Sequence, residues 1–338
     1  MLDVCICTHN PRVDILKLVV KSLARQTGDP GTFRVFLIDN ASFPAVSDEV
    51  LDPLHTAGIT ARIVREPRPG LTQARLRAAD ETDGEWVLFV DDDNELSLNY
   101  LVEGHKFIAS RDDVGCFGGR LLLPDTIKPP LWAAPFLTYL GIKDVGDNVI
   151  VGKSPDWGIW EPPGAGVFVR RALLEEYRAL SLHDSRVFRL GRQGSKSLAS
   201  CDDSLLMRGA FRLGLANAYN PHLVLYHHLS PNRFKFGYLI RLMYQYGVSH
   251  VVLESLLKGP QPMPAHYRSA KAFGKFLLSA SIRQKEERLM VPGPKASGKS
   301  LLNIFRSGLK NARPFALGMI AYHLGARAEY LKQSKVEA

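Results

Sequence analysis

Cysteine is scarce in this chain, and long apolar runs are missing altogether. Four cysteines (Cys5, Cys7, Cys116 and Cys201) are scattered, and no C-x-x-C pair occurs. That spacing argues against a zinc site and for small apolar side chains in a reducing compartment. No apolar stretch reaches the roughly 18 residues that a membrane span needs. The opening MLDVCIC reads as a strand, with no basic segment leading into an apolar one, so a secretory leader is not expected. A cytoplasmic protein is the expectation.

Acidic residues are scarce in one region only. Residues 230–338 hold 18 Lys+Arg against 5 Asp+Glu, whereas residues 1–229 hold 25 against 29. The net charge of +9 is therefore carried by the C-terminal third. Such asymmetry points to a polyanionic partner, either nucleic acid or an anionic membrane.

The first 120 residues alternate between two patterns. LDVCIC, RVFLID, ARIVRE and EWVLFVD are short runs rich in β-branched and aromatic residues; the stretches 13–26, 46–57 and 70–81 read as helices. This alternation predicts an α/β fold with a mainly parallel central sheet covered on both faces. Ligands of such sheets bind beyond the carboxyl ends of the strands. Residues 124–163 are rich in Pro, Gly and Trp and read as functional loop. A helix is expected from Ala172, a polar loop over 181–200, a helix from Asp202 to Gly214, and a strand through LVLYHH. From Pro231 onward, helices with an apolar stripe and a basic face take over. These helices either pack on the N-terminal body or lie in the plane of a membrane surface, and the two readings are compatible.

GPKASGKS (293–300) fits the phosphate-cradling pattern G-x-x-x-x-G-K-S. Its context does not fit, because only the short RLMVP precedes it and the 38 residues that follow contain two acidic residues, Glu329 and Glu337. They cannot supply the sheet and the acidic strand such a loop needs. The segment reads as a basic loop between helices.

The fourth strand ends in VDDDNE. Asp91, Asp92 and Asp93 are adjacent carboxylates that repel one another unless a cation intervenes, and hard oxygen ligands suit Mg2+ or Mn2+. Side chains alternate along extended backbone, so Asp91 and Asp93 are expected on one side and Asp92 on the other.

With these pieces in order, the N-terminal 230 residues resemble a family 2 glycosyltransferase of the GT-A fold. VCICTHNP resembles the first strand and its nucleotide loop, FLIDNAS the second strand, PGLTQARLRAA the helix with an arginine near the diphosphate, and FVDDDN the D-x-D metal motif. GAGVFVRR resembles the acceptor-side segment, and CDDSLLMRGAFRLG the helix carrying the catalytic base. The resemblance implies a catalytic domain over 1–230; the charge and helical pattern of 231–338 mark a helical, basic region that associates with a membrane or packs on that domain. It implies a nucleotide-diphosphate sugar donor, UDP-linked by family analogy, contacted by Thr8, His9, Asn10, Asp39, Arg75, Asp91 and Asp92. Asp93 would be the main ligand of Mn2+ or Mg2+, assisted by Asp91 and by an imidazole of the His227–His228 pair, with His228 the expected one. Asp203 would be the base, with Asp202 the alternative, because this chain has Asp-Asp where Glu-Asp is common. Gly164 and Gly166 would lie on the acceptor side, where Trp157 and Trp160 would offer indole faces to a sugar ring.

The expected activity is inverting transfer of a sugar to a hydroxyl of a glycan or lipid-linked acceptor. The enzyme would take part in making cell-surface polysaccharide or glycolipid, peripherally at the inner face of the cell membrane. One alternative is a polyprenyl-phosphate sugar synthase. Another is a nucleic-acid-binding protein using the basic tail, but the tail has no recognisable nucleic-acid module, so no nucleic acid is expected. The oligomeric state stays open.

Overall fold

The computed structural model describes residues 1–194, 197–277 and 301–336, with side chains over the last of these from 314 to 334. The GPKASGKS motif lies outside the described residues. Two compact units emerge: residues 1–128 with 140–230, and residues 129–139 with 231–338.

The first unit is built on one sheet. Its strands are β1 (Leu2–Thr8), β2 (Phe33–Asn40), β3 (Ala61–Glu66), β4 (Trp86–Asp91), β5 (Asn94–Leu96), β6 (Val114–Leu122), β7 (Ile150–Gly152), β8 (Val167–Arg170) and β9 (Ala216–His227). Their order is β3-β2-β1-β4-β8-β6-β9-β5, with β7 also on β9. The β3-β2-β1-β4 block is parallel throughout, as the strand–helix alternation predicts. Beyond it β8 runs antiparallel to both β4 and β6, so the sheet is mixed in its second half. Helices α1 (Val13–Ala24), α3 (Leu71–Glu81), α5 (Arg171–His183) and α6 (Asp202–Arg212) follow the segments read as helical, 46–57 forms a 3-10 turn running into the short α2 (Asp52–Thr56), and α4 (Tyr100–Ser110) is a further helix after β5.

The core sits where the pattern places it. Val4, Ile6, Leu16, Val20, Leu37, Leu88 and Val90 are buried between β1, β2, β4 and α1. Phe117 stacks on Phe168 with ring centroids 4.6 Å apart, tying β6 to β8. Gly104 of α4 faces the Phe168 ring, whose Cζ would lie 2.2 Å from an added Cβ, so only glycine lets this helix approach. The carboxyl ends of β1, β2 and β4 come out side by side, in the registers Thr8↔Asp39 and Cys7↔Asp91. That juxtaposition brings the THNP, DNAS and DDD segments together.

The second unit is helical. α7 (Phe236–Lys258) packs along the C-terminal helix Leu301–Val336. Glycines allow this approach: an added Cβ on Gly247 would meet the Tyr322 carbonyl oxygen at 1.9 Å, and one on Gly325 the Tyr244 carbonyl oxygen at 2.0 Å. Phe136, from the 129–139 segment, meets Phe315 edge to face at 5.2 Å. Among the described residues no helix is long and apolar enough to cross a membrane.

Candidate active site

The site grows from the strand ends. Thr8, the last residue of β1, is buried and donates its hydroxyl to the Asp92 carboxylate. Past it, His9 Nδ1 donates to the Asn40 carbonyl at 2.6 Å. Asn10 takes a left-handed conformation (φ 51°), its N–H donating to Ser42 Oγ at 2.9 Å and its Oδ1 accepting from Phe43 N–H at 2.8 Å. The loops after β1 and β2 are thereby fastened to each other. Asp39 closes the second loop. It accepts from the N–H groups of Ser42 (3.2 Å) and Val46 (3.0 Å) and pairs with Arg65. Burial works against its charge, but these bonds win and hold its carboxyl below the usual range.

The three carboxylates do not follow strand alternation. Asp91 ends β4, and residues 92–93 turn into β5, so each carboxylate finds its own surroundings. Asp92 turns to Thr8. Asp93 Oδ1 lies 3.3 Å from His227 Nε2, and Oδ2 lies 3.8 Å from Arg12. Burial, and then the Asp93 charge, push Asp91 up to about 6; Arg75, His227 and Arg192 oppose the rise. Burial and Asp93 raise Asp92 as well, against the Thr8 hydrogen bond. Two carboxyls with raised affinity for protons beside a third are a site with an excess of negative charge.

The imidazole beside Asp93 belongs to His227, where the sequence reading expected His228. Antiparallel pairing of β5 with β9 sets His227 opposite Asn94 and so next to Asp93. His228 lies one residue beyond the strand; its backbone N–H donates to the Asp93 carbonyl and its ring turns to Glu95 at 2.9 Å. His227 Nδ1 is shielded from solvent without a hydrogen-bond partner. Asp93 and His227 thus form an oxygen–nitrogen pair of the kind that suits a divalent ion. The described residues hold no cage of three or more His, Cys, Asp or Glu groups. The remaining ligands would come from water and substrate phosphates, as is usual for Mg2+.

Arg75 is sealed in the interior. Its guanidinium meets Asp202 at 2.5 Å and lies over the Phe89 ring at 5.7 Å, and both side chains of the ion pair are about 5% exposed. Burial disfavours charge on each. Asp202 and then Asp203 hold Arg75 protonated, while burial raises Asp202 against the pull of Arg75. Asp203 is the half-buried neighbour. Its Oδ2 accepts the Gly164 N–H at 3.1 Å and its Oδ1 the Ser204 N–H at 2.9 Å. The helix starts abruptly because Cys201 is left-handed (φ 77°).

Gly164 and Gly166 are required for packing. An added Cβ on Gly164 would fall 2.7 Å from Asp203 Cβ and 2.8 Å from Arg75 Nη2. Gly166 has φ 64°, and an added Cβ there would lie 2.1 Å from Leu225 Cδ2. The tryptophans diverge. Trp157 is 62% exposed, whereas the Trp160 ring fills the space over Gly152 and Gly158, where added Cβ atoms would meet it at 2.0 and 2.2 Å.

Three features escaped sequence reasoning. Arg12 and Arg192 carry charge to the acidic cluster from segments that read as helix start and polar loop. Glu161 forms a buried pair with Arg208 at 3.0 Å and accepts from Ser204 Oγ at 2.6 Å, tying the Trp-rich loop to α6. Only its place within WEPPGAG, between two aromatic-rich segments, hinted at it.

Comparison with known proteins bears on this site. The model for "Glycosyl transferase family 2" matches residues 3–178. Among solved structures, the fold is similar to the mannosyltransferase PcManGT of Pyrobaculum calidifontis in complex with GDP-Man and Mn2+; the two are 16% identical, the match covers 98% of this chain and 87% of that one, and the TM-score is 0.56. TarS 1-349 of S. aureus is 16% identical, with 98% and 91% covered and a TM-score of 0.48. An uncharacterised Sinorhizobium fredii protein, y4gI, is 26% identical over 230 residues, 65% of this chain. The matched part is 24% of that protein's length, so this chain corresponds to about a quarter of the curated relative it matches.

Proposed function

Since the chain belongs to glycosyl transferase family 2 and its fold is GT-A, we propose that it moves a sugar, with inversion, from a nucleotide-diphosphate donor to a hydroxyl of a glycan or lipid-linked acceptor. The observation that carries this reading is the gathering of Asp91, Asp92, Asp93 and His227 at the carboxyl ends of β1 and β4, with Asp203 on the neighbouring helix. The similar mannosyltransferase structure, with its GDP-Man and Mn2+, supports a nucleotide-sugar donor and a divalent ion here.

Asp93 and His227 would hold Mn2+ or Mg2+, with Asp91 beside them; the ion, when bound, neutralises charge developing on the diphosphate. The loops after β1 and β2, fixed by Asn10, Ser42 and Asp39, offer a rigid floor for the nucleoside. Asp203 accepts the proton of the acceptor hydroxyl, whose oxygen attacks the anomeric carbon as the diphosphate leaves from the opposite face. Single displacement inverts the configuration. Asp202 is committed to Arg75, so it holds that arginine and positions α6 rather than taking the proton. Trp157, exposed near the acceptor-side loop, offers its indole face to a sugar ring.

The membrane part of the reading concerns the helical unit. Phe236, Tyr244, Leu317 and Leu324 are exposed apolar residues there, with Lys235 and Arg241 also exposed. That combination suits peripheral binding to an anionic bilayer, and so a lipid-linked acceptor in polysaccharide or glycolipid synthesis. Co-sedimentation with vesicles containing phosphatidylserine, but not with neutral vesicles, is the expected result; equal recovery with both counts against it.

The donor site is tested by thermal unfolding with UDP, GDP, CMP and dTDP, each with Mn2+ and with EDTA. A ligand at 100 times its Kd adds about 2.7 kcal/mol to stability. One nucleotide is expected to raise Tm, with the shift lost in EDTA and in Asp93→Ala. No shift with any nucleotide, on folded protein, would falsify the transferase reading.

A further inference from the structure

The family resemblance assigns the diphosphate to Arg75, but Arg75 is buried against Asp202, Phe89 and Gly164 and has no open face. A leaving diphosphate still needs cationic contacts besides a metal, since charge builds on it as the glycosidic bond breaks.

The first turn of α3 offers such a place. A cavity of about 80 Å3 is lined there by Gly70, Thr72 and Gln73 on one side and by Phe188, Gly191 and Arg192 on the other. At roughly 30 Å3 per water, this is room for two or three waters, the scale of one phosphoryl group. α3 is eleven residues long and starts at Gly70 without a side-chain cap. Its first N–H groups lack intrahelical acceptors, and only that of Leu71 is taken up, by the Arg192 carbonyl at 2.9 Å. Such a helix start favours an anion. A second, separate observation points to a ligand: Thr72 is 2% exposed, and its Oγ1 lines the cavity without a partner in hydrogen-bonding geometry, the buried Tyr177 hydroxyl lying beside it.

Arg192 completes the arrangement. Arg192 is half-buried and, among the described residues, its side chain is in no ion pair or hydrogen bond, unlike those of its neighbours Arg186 and Arg189. Gly70, at the start of α3, donates its N–H to Asn40 Oδ1 at 2.7 Å, which sets the cavity against the carboxyl end of β2. Gly191 is obligatory for the wall, since an added Cβ would lie 2.3 Å from Thr72 Oγ1.

We propose that Arg192, with the N-terminus of α3 and the Thr72 hydroxyl, binds the donor's diphosphate, and that Arg75 serves only to hold Asp202. The inference rests on the donor-site reading above and deepens it. The guanidinium forms charge-assisted hydrogen bonds to the phosphoryl oxygens, which strengthen as the sugar departs and the diphosphate gains charge.

The test compares the nucleoside diphosphate that stabilises the wild type with its parent nucleoside and with inorganic pyrophosphate. Binding is measured by calorimetry in Mn2+ for wild type, Arg192→Gln and Arg192→Lys. Arg192→Gln is expected to fold with an unchanged Tm, because the side chain has no partner to lose. It should weaken diphosphate and pyrophosphate binding roughly 10- to 100-fold while nucleoside affinity stays the same. Arg192→Lys should recover part of the loss. If wild type and Arg192→Gln bind the diphosphate equally, this inference falls and the donor-site reading stands. If the wild type binds no nucleotide at all, both fall.

Discussion

Asp202 and Arg75 pair at 2.5 Å inside the protein, whereas the next carboxylate, Asp203, is half-buried and accepts the backbone N–H groups of Gly164 and Ser204. The two aspartates should therefore fail differently when neutralised. Asp202→Asn strands a buried guanidinium and is expected to cost about 3–5 kcal/mol of stability. Asp203→Asn should keep its Tm within a degree or two and lower kcat roughly 10²- to 10⁴-fold. Denaturant unfolding and steady-state kinetics on both variants check this. A stable, inactive Asp202→Asn beside an active Asp203→Asn would reverse the assignment. An Asp203→Asn enzyme that works well on a lipid phosphate would favour the polyprenyl-phosphate alternative.

The two histidines should separate in the same way. His227→Ala is expected to abolish the Mn2+-dependent part of nucleotide stabilisation, as Asp93→Ala does, because these two groups lie 3.3 Å apart. His228→Ala should keep most of it, since that ring belongs to Glu95. Metal titration followed by Tm reads the difference directly, and equal losses in both variants would count against the assignment.

Trp157 and Trp160 differ in what surrounds them. Trp160→Ala empties the space over Gly152 and Gly158 and should lower Tm, by less than the loss of a fully buried ring because Trp160 is partly exposed. Trp157→Ala removes an exposed ring, so Tm should hold while KM for the acceptor rises and KM for the donor does not. An unchanged acceptor KM would remove Trp157 from the acceptor site.

Glu161 and Arg208 are each about 4% exposed, and their pairing fastens the Trp-rich loop to α6. Removing one charge leaves the other buried, so Glu161→Gln is expected to cost about 3–5 kcal/mol. The double variant Glu161→Gln/Arg208→Met should regain much of this. A double-mutant cycle with no coupling would show that the pair adds nothing.

His323, in the helical unit, accepts from or donates to the Tyr267 hydroxyl at 2.8 Å, and burial followed by His266 lowers it to about 4. An unfolded histidine titrates near 6.5, so between about pH 4 and 6.5 the unfolded state binds more protons. The contribution is therefore fully present above pH 6.5 and is lost as pH falls toward 4. Denaturant midpoints across that window should fall more for wild type than for His323→Phe. Parallel curves would show that His323 does not take part.

Much of the site was legible because its signals are local. Four apolar runs fixed the parallel block, and the rule that ligands bind at carboxyl strand ends pointed to THNP, DNAS and DDD before any coordinates. Strand alternation failed at Asp91–Asp93 because residues 92–93 turn. The resemblance sets Arg75 near the diphosphate, and nothing local in its motif shows that Asp202, 127 residues away, pairs with the guanidinium.

The sequence by itself determined the order of elements, the acidic cluster and its strand-end position, because hydrophobic periodicity and turn chemistry act over a few residues. Tertiary structure alone shows which neighbour carries a structural partner: Asp202 pairs with Arg75, and the His228 ring turns to Glu95. Adjacent residues point about 100° apart on a helix and to opposite faces of a strand, so which one faces the site depends on register and on partners distant in the chain.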